Sequence, residues 1–332
     1  MRRFVCDLGT VLLLISTLLI GCSTAIPPEL EQARAHLEVV DSLDVQKQFP
    51  TEYQTARDKF LEAERFSQST MTKGKVKDSA IESLNASKQI LKEFYQTTIT
   101  PLAKNAKKQI EEITAKDPDN PLQEFVPKID ELLEYSDKLE LGVEIIALNK
   151  VLDDLEKVTV ITHNLNPNLS TILDSDISFD TGKYELSDNG KEMLTKFFRK
   201  IIKEQQEYLS QFTGRSVSMK ITVVGYTDQQ GFQKGSKLAK LLIEGMEADL
   251  PENALEQRKF LNQRLSQFRA NTIGEYIQQV ISENDSNINV QLNIIGLGEE
   301  LPRGVTPPYP ASDSVSDPSR RICKVYSSVI VE

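Results

Sequence analysis

Asp228 closes a strand-like run at a glycine-flanked turn, Gly225-Tyr226-Thr227-Asp228, and Arg269 lies on a helical stretch further along the chain. A carboxylate at the end of a strand is well placed to meet a ligand, because loops carry binding groups on a rigid support. Brought together, these two groups could grip the zwitterionic end of an amino acid. Asp228 would take the ammonium and Arg269 the carboxylate, each charge-assisted contact contributing about 1.5–3 kcal/mol. Asn262, Ser266 and Arg269 fall at i, i+4 and i+7, so they share one side of a helix. The neighbouring stripe of Leu261, Leu265 and Phe268 is predicted to face the core, which would leave the polar side at the edge of a cleft. The same residues admit a plainer role, in which Asp228 and Arg269 pair with each other or cap a strand end.

The elements that must position these groups occupy residues 170–332. Ile172 to Phe179 reads as a strand, and Leu186, Met193, Leu194, Phe197, Phe198, Ile201 and Ile202 trace a helix. Val217 to Gly225 is rich in β-branched residues, as a strand is. Leu261, Leu265, Phe268, Ile273, Tyr276, Ile277 and Val280 trace a second helix. Ile288, Val290, Leu292 and Ile294 alternate as in a strand, and Ile322 to Val331 forms the last one. The order βαβαββ predicts an α+β domain with helices packed on one face of a small mixed sheet.

With these pieces in place, the C-terminal half resembles the OmpA-like peptidoglycan-binding family, of the peptidoglycan-associated lipoprotein type, from roughly Ile172 to Val331. Ile177-Ser178-Phe179-Asp180, followed by Leu186 and Gly190, is similar to the family's first strand and helix start. Gly225-Tyr226-Thr227-Asp228 is similar to its G-H-T-D turn, and Asn262 to Ala270 matches N-x-x-L-S-x-x-R-A at every fixed position. Gly296-Leu297-Gly298-Glu299 through Pro302 resembles its G-x-G-E-x-x-P loop, and Ser319-Arg320-Arg321 stands where the family has N-R-R. The resemblance implies that Thr227, Asp228, Asn262, Leu265, Ser266, Arg269, Arg320 and Arg321 bind the diaminopimelate of the peptidoglycan stem.

Three departures stand against the pattern. Tyr226 replaces histidine, Ser319 replaces asparagine, and roughly 25 extra residues separate Asp228 from Asn262. That insertion, at about 230–255, carries Lys234, Lys237 and Lys240, then Glu244, Glu247 and Asp249. Leu238, Leu241 and Leu242 predict a short amphipathic helix before Pro251. Its charge order opposes the helix dipole, so packing must hold it, either across the cleft or beside it.

Residues 29–165 predict an all-α bundle. Leu30, Ala33, Leu37 and Val40 recur at spacings of three and four, and Tyr53, Ala56, Phe60 and Ala63 repeat the pattern after Pro50. Ala80, Leu84, Ser87, Leu91 and Phe94 form a third stripe, with a break expected at Thr97-Thr98-Ile99-Thr100-Pro101. Ala103, Ala106, Ile110 and Ile113 resume it as far as the turn Asp117-Pro118-Asp119-Asn120-Pro121. A last stretch carries Val126, Ile129, Leu133, Ile146 and Leu155. The alanines on the stripes suit close helix packing, either as a spacer or as a docking surface for a partner protein of the cell envelope.

The N-terminus bears on location. Arg2 and Arg3 precede an apolar stretch from Leu8 to Ile20 that Gly9, Thr10, Ser16 and Thr17 interrupt. It falls short of the roughly 20 apolar residues a bilayer span needs and reads as a secretory signal, residues 1–21. Leu19-Ile20-Gly21-Cys22 resembles the lipobox of bacterial lipoproteins, which implies lipidation at Cys22 and a short tether over residues 22–28. Ser23 after it implies a lipid-anchored place in the outer membrane, facing the periplasm. More than one acyl chain makes such attachment stable, at about 0.8 kcal/mol per buried methylene.

Composition narrows the function classes. The net charge is −10, and removal of residues 1–21 takes away Arg2, Arg3 and Asp7 to leave −11. Such a chain repels nucleic acid at long range, and anionic cell wall too, so wall binding must rest on a local site. Only His36 and His163 are present, and H-E-x-x-H, S-x-x-K, G-x-S-x-G and P-loop motifs are absent. Cys6 leaves with the signal and Cys22 would be acylated, so Cys323 remains as a single thiol, expected as a small buried strand residue. No cofactor, metal or enzymatic activity is expected. Two other classes stand beside the wall binder: a carboxylate-only wall hydrolase, and an OmpA-like module used for protein interaction alone.

Overall fold

In the computed structural model, which describes residues 26–68, 72–174, 179, 183–209, 217–233, 235–244, 250–284, 289–303 and 316–331, six helices precede the first strand. They are α1 (Pro28–Ser42), α2 (Pro50–Ser67), α3 (Lys73–Phe94), α4 (Thr100–Lys116), α5 (Val126–Glu140) and α6 (Leu148–Asn164). Cys22 and residues 1–21, read as a signal, lie outside the described residues, as do Ile177, Ser178, Asp180, Lys234, Glu247, Asp249 and Ile288. No helix of the described residues is long and apolar enough to cross a membrane. The chain divides into two units, one running to Lys108 and taking in Phe125–Thr162, the other made of Gln109–Glu124 and His163–Glu332.

The first unit follows the helical periodicity closely. The buried residues of α1 are Leu30, Ala33, Leu37 and Val40, and those of α2 are Tyr53, Ala56, Phe60 and Ala63. α3 packs against both, and the alanines let the backbones come close: Ser83 Oγ on α3 donates to the carbonyl of Ala56 at 2.7 Å. The break expected at residues 97–101 is absent. The chain passes through a π-helical turn, Tyr95–Ile99, directly into α4. A proline lacks an N–H and its ring crowds the preceding turn, and the wider π turn accommodates Pro101 where a regular helix would kink. Thr97 donates to the carbonyl of Glu93 at the end of α3, at 2.7 Å, and Thr100 to that of Tyr95 in the turn, at 3.1 Å. Buried Tyr95 donates to Asp154 Oδ2 at 2.7 Å, and Lys150 approaches the same carboxylate at 3.0 Å. The last helical stretch is two helices, because Gly142, at φ +72°, turns the chain out of α5. Val151 and Val158 take the buried positions of α6, while Leu155 is half-buried.

The second unit holds a four-stranded sheet of β1 (Ser170–Asp174), β2 (Val217–Gly225), β3 (Asn289–Gly296) and β4 (Ile322–Val331), with three helices: α7 (Asp188–Leu209), α8 (Lys237–Ile243) and α9 (Ala254–Asn284). The strand order is β1-β4-β2-β3, with β2 and β3 parallel and β4 antiparallel to both its neighbours. The architecture is α+β, as predicted, and the insertion helix before Pro251 is α8. Side chains alternate across the sheet. Met219, Ile221, Val223, Cys323 and Val325 face α7 and α9, meeting Leu194, Phe198, Ile201, Ala270, Ile273 and Ile277. Each such fully buried aliphatic or aromatic side chain contributes roughly 1.5–3 kcal/mol. His163 belongs to this unit rather than to the helical half, with its ring stacked on Tyr208 at 3.7 Å.

The alternate residues, Val224, Ile322 and Tyr326, pack with Tyr226 into a smaller apolar cluster. Residues 109–124, read in sequence as part of the helical bundle, group with this unit. Asp117 accepts from Lys324 Nζ at 2.7 Å and from Tyr326 Oη at 2.6 Å; Asp119 accepts from Lys324 at 3.0 Å and from Tyr226 Oη. Glu124 pairs with Lys220 further along β2.

Candidate functional site

The parallel strands β2 and β3 both end in glycine, and Gly225 and Gly296 are register partners. A Cβ at Gly225 would stand 2.4 Å from the carbonyl oxygen of Ser266, and one at Gly296 would stand 2.7 Å from both Ser266 Oγ and the amide of Gln267. Only glycine permits this approach, so the strand ends meet the backbone of α9 directly. That contact buries Asn262, Ser266 and Arg269, which sequence reasoning placed at a cleft edge. The predicted core stripe also differs. Leu261 and Leu265 form a separate apolar cluster with Leu242 of α8, and α9 meets the sheet through Ala270, Ile273 and Ile277. The helix is covered on two adjacent faces.

Ser266 organises the loops. Its hydroxyl donates to the carbonyl of Gln263 at 2.7 Å and accepts from the amide of Gly298 at 2.9 Å. Gly298 adopts φ +56°, and its carbonyl accepts from the amide of Thr227 at 2.7 Å. Asp228 follows. Its Oδ1 accepts from the amide of Gln230 at 3.2 Å, its Oδ2 from the amide of Asp317 at 3.2 Å, and Arg321 Nε stands 3.4 Å from Oδ2. Asn262 Nδ2 donates to the carbonyl of Gln230 at 3.2 Å and to Glu299 Oε1 at 2.7 Å. Thr227, Asp228, Asn262, Ser266, Arg320 and Arg321 are thus joined in one network.

Arg320 is 1% exposed and donates through Nη2 to the carbonyl of Glu299. Among the described residues, its Nε and Nη1 have no acceptor, and buried Thr227 Oγ1 has no partner either. Arg269 points along a different line. Its Nε and Nη2 approach the carbonyl of Lys183 at 3.4 and 3.3 Å, and its guanidinium lies over the Phe179 ring, 5.2 Å from the centroid. Burial pushes the Cys323 thiol up to about 12, against the opposing pull of the Arg269 charge. Arg258 thus pairs with Glu299 and Arg321 with Asp228, while Arg320 reaches the Glu299 backbone, in a chain that is acidic overall.

Two contributors were missed from sequence. Glu299 ties Asn262 to the guanidinium of Arg258, which holds both its oxygens at 2.9 Å. Glu299 was visible in the glycine-rich loop pattern, whereas Arg258 precedes the motif on α9 and carried no signal. Arg264, on the same helix, donates to the carbonyl of Leu242 at 3.1 Å and so fastens α8 to α9. α8 lies on the Leu261 and Leu265 face, about a quarter turn around the helix from Asn262 and Ser266.

No protein-family model matches the sequence, and no curated protein matches it. Among solved structures, the chain is similar to a MotB-like protein from Desulfovibrio vulgaris, at 15% identity over 48% of this chain and 72% of that one, with a TM-score of 0.29. It is also similar to the OmpA-like domain of FopA1 from Francisella tularensis, at 17% identity over 49% of this chain and 73% of that one, with a TM-score of 0.25.

Proposed function

We propose that the second unit is an OmpA-like module that binds peptidoglycan non-covalently through the diaminopimelate of the stem peptide. The observation that carries this reading is the buried guanidinium of Arg320. Among the described residues, two of its nitrogens lack an acceptor. A buried unanswered cation is costly, by several kcal/mol, and an anionic ligand group would answer it. Asp228 supplies the complementary charge for an ammonium, and Arg269 a second grip on a carboxylate. A free amino-acid end, bearing both groups, suits this set, and the motif resemblance names diaminopimelate. Binding on this reading proceeds without catalysis; the Cys323 thiol is buried.

The test is co-sedimentation of the purified protein with cell-wall sacculi, with and without free meso-diaminopimelate. Sedimentation that the free amino acid reverses supports the reading. Release of soluble wall fragments would make the protein a hydrolase. Failure to sediment would leave the module to protein interaction alone.

We also propose that the chain is anchored in the outer membrane through a lipid on Cys22 and tethers that membrane to the wall. The lipobox-like register of Leu19, Gly21 and Cys22 motivates this. Cys22→Ala should leave the protein unprocessed or soluble; a variant that is processed and still fractionates with the outer membrane would defeat the anchor.

A further inference from the structure

We propose that Asp119 and Tyr226 are positioning residues for the ligand turn, so that a segment far upstream of the motif-bearing elements sets the geometry of Thr227 and Asp228. This rests on the ligand reading of that turn given above. Tyr226 lies between the last residue of β2 and Thr227. Its amide donates to the carbonyl of Ile322 at 2.9 Å, and its ring is buried against Val224, Ile322 and Tyr326. The hydroxyl reaches Asp119, while the amide of the next residue, Thr227, is held by Gly298 and through it by Ser266. The turn is therefore gripped from two directions. Ser266 and Gly298 hold one side, and the Asp117–Pro121 turn holds the other.

The upstream grip is itself rigid. Pro118 and Pro121 restrict the backbone, the amide of Asn120 donates to the carbonyl of Asp117 at 3.0 Å, and the Asn120 side chain accepts from the amide of Leu122 at 3.1 Å. Lys324 stands between the two aspartates and 5.3 Å from the Tyr226 ring centroid, which offsets part of the acidic charge where it meets the sheet. Burial, and then the neighbouring Asp119, raise the Tyr226 phenol well above its usual range, so it remains a neutral donor. The tyrosine at this position is thereby accounted for. Its hydroxyl is committed to Asp119.

The experiment compares full-length wild type, Tyr226→Phe, Asp119→Asn, Tyr226→His and Glu124→Gln by hydrogen–deuterium exchange over Tyr226–Gln230 and by sacculus affinity. Tyr226→Phe conserves the ring and removes only the donor. It and Asp119→Asn should raise exchange across the turn and weaken wall binding about tenfold, as expected for one lost hydrogen bond to a charged group. Tyr226→His keeps a donor and should recover most of the affinity. Glu124→Gln loosens the same segment at Lys220 and should leave both readouts within about twofold of wild type. Unchanged exchange over the turn in Tyr226→Phe and Asp119→Asn overturns the proposal, as does equal loss in Glu124→Gln. Wild type that does not sediment would defeat the ligand reading instead, and the exchange data alone would then decide whether Asp119 and Tyr226 order the turn.

Discussion

Glu299 stands between Asn262 and Arg258: one of its oxygens accepts from Asn262 at 2.7 Å, and both are held by the Arg258 guanidinium at 2.9 Å. Its own backbone carbonyl receives Arg320. A single acidic residue thus joins α9 to the arginine pair that opens β4. Arg258→Ala would leave the largely buried carboxylate with Asn262 alone. Because Arg258 is partly exposed, a cost of about 2 kcal/mol is expected, below that of breaking a fully buried pair. The melting temperature should fall by roughly 4–8 °C. Sacculus affinity should fall as well, since the loop carrying Glu299 also carries the acceptor for Arg320. An unchanged melting temperature, measured by circular dichroism, would remove Glu299 from this structural role.

Close approach at the strand ends gives a sharper contrast between glycines. Gly296→Ala places a Cβ 2.7 Å from a backbone amide of α9, where neither side can yield easily. Gly231→Ala, in the loop after Asp228, meets nothing within 4 Å. The first substitution should destabilise the unit by about 1–3 kcal/mol, the range of overpacked cores and strained backbone. The second should be neutral or slightly stabilising, by up to about 1 kcal/mol. Denaturant unfolding of the two variants checks the difference, and equal midpoints would mean that α9 can shift without cost.

Much of this arrangement was legible in sequence, for identifiable reasons. β2 and β4 appear at their predicted bounds because β-branched alternation marks a buried strand clearly. The stripe of α1 is buried residue for residue, because one helix face against one neighbour is what a spacing of three and four encodes. α9 was misread for the converse reason. It is covered by the sheet on one side and by α8 on the next, so its apolar residues spread around the helix and Leu265 packs under the insertion. The position of β4 between β1 and β2 depends on pairing across the whole unit, which local pattern does not carry. The π turn at Tyr95–Ile99 looked like a break because proline and β-branched residues disfavour a regular helix, whereas Tyr95 and Ile99 are buried in a chain that stays helical. The role of residues 109–124 was hidden because Asp117, Pro118 and Asp119 spell a surface turn in any context.

Cys323 gives the pH dependence. Its thiol is fully buried and pushed up from 9.0 to about 12 by loss of solvation. Below pH 9 both folded and unfolded forms carry the proton, and the group favours neither. Between 9 and 12 the unfolded chain releases its proton while the folded chain retains it, so stability falls as pH rises through that window. The buried phenols of Tyr226 and Tyr326, raised by burial and by their aspartate partners, push in the same direction at alkaline pH. Native protein at pH 8 should resist iodoacetamide at Cys323 and become alkylated only on unfolding. Rapid native labelling would show that the thiol is accessible and that the alkaline loss has another origin.

The decisive pair is Asp228 and Arg269. In this structure each has other partners: Asp228 faces Arg321 and the amides of Gln230 and Asp317, and Arg269 faces Lys183 and Phe179. Asp228→Ala and Arg269→Ala should each weaken sacculus binding by roughly 10- to 100-fold, the range of one charge-assisted contact. If both side chains grip one zwitterionic end, losing either leaves the ligand's opposite charge poorly placed. The double variant should then be little worse than the poorer single one, the non-additivity expected of groups sharing a ligand. Lys259→Ala is the control. It is exposed on the same helix, whereas Arg264 fastens α8 and would disturb the insertion. Truncating Arg269 uncovers the Phe179 ring, so a modest drop in melting temperature is expected there and a smaller one for Asp228→Ala. The site assignment fails if both single variants retain wild-type affinity for sacculi while their melting temperatures fall, since the two side chains would then serve only to brace the loops around β2 and β4.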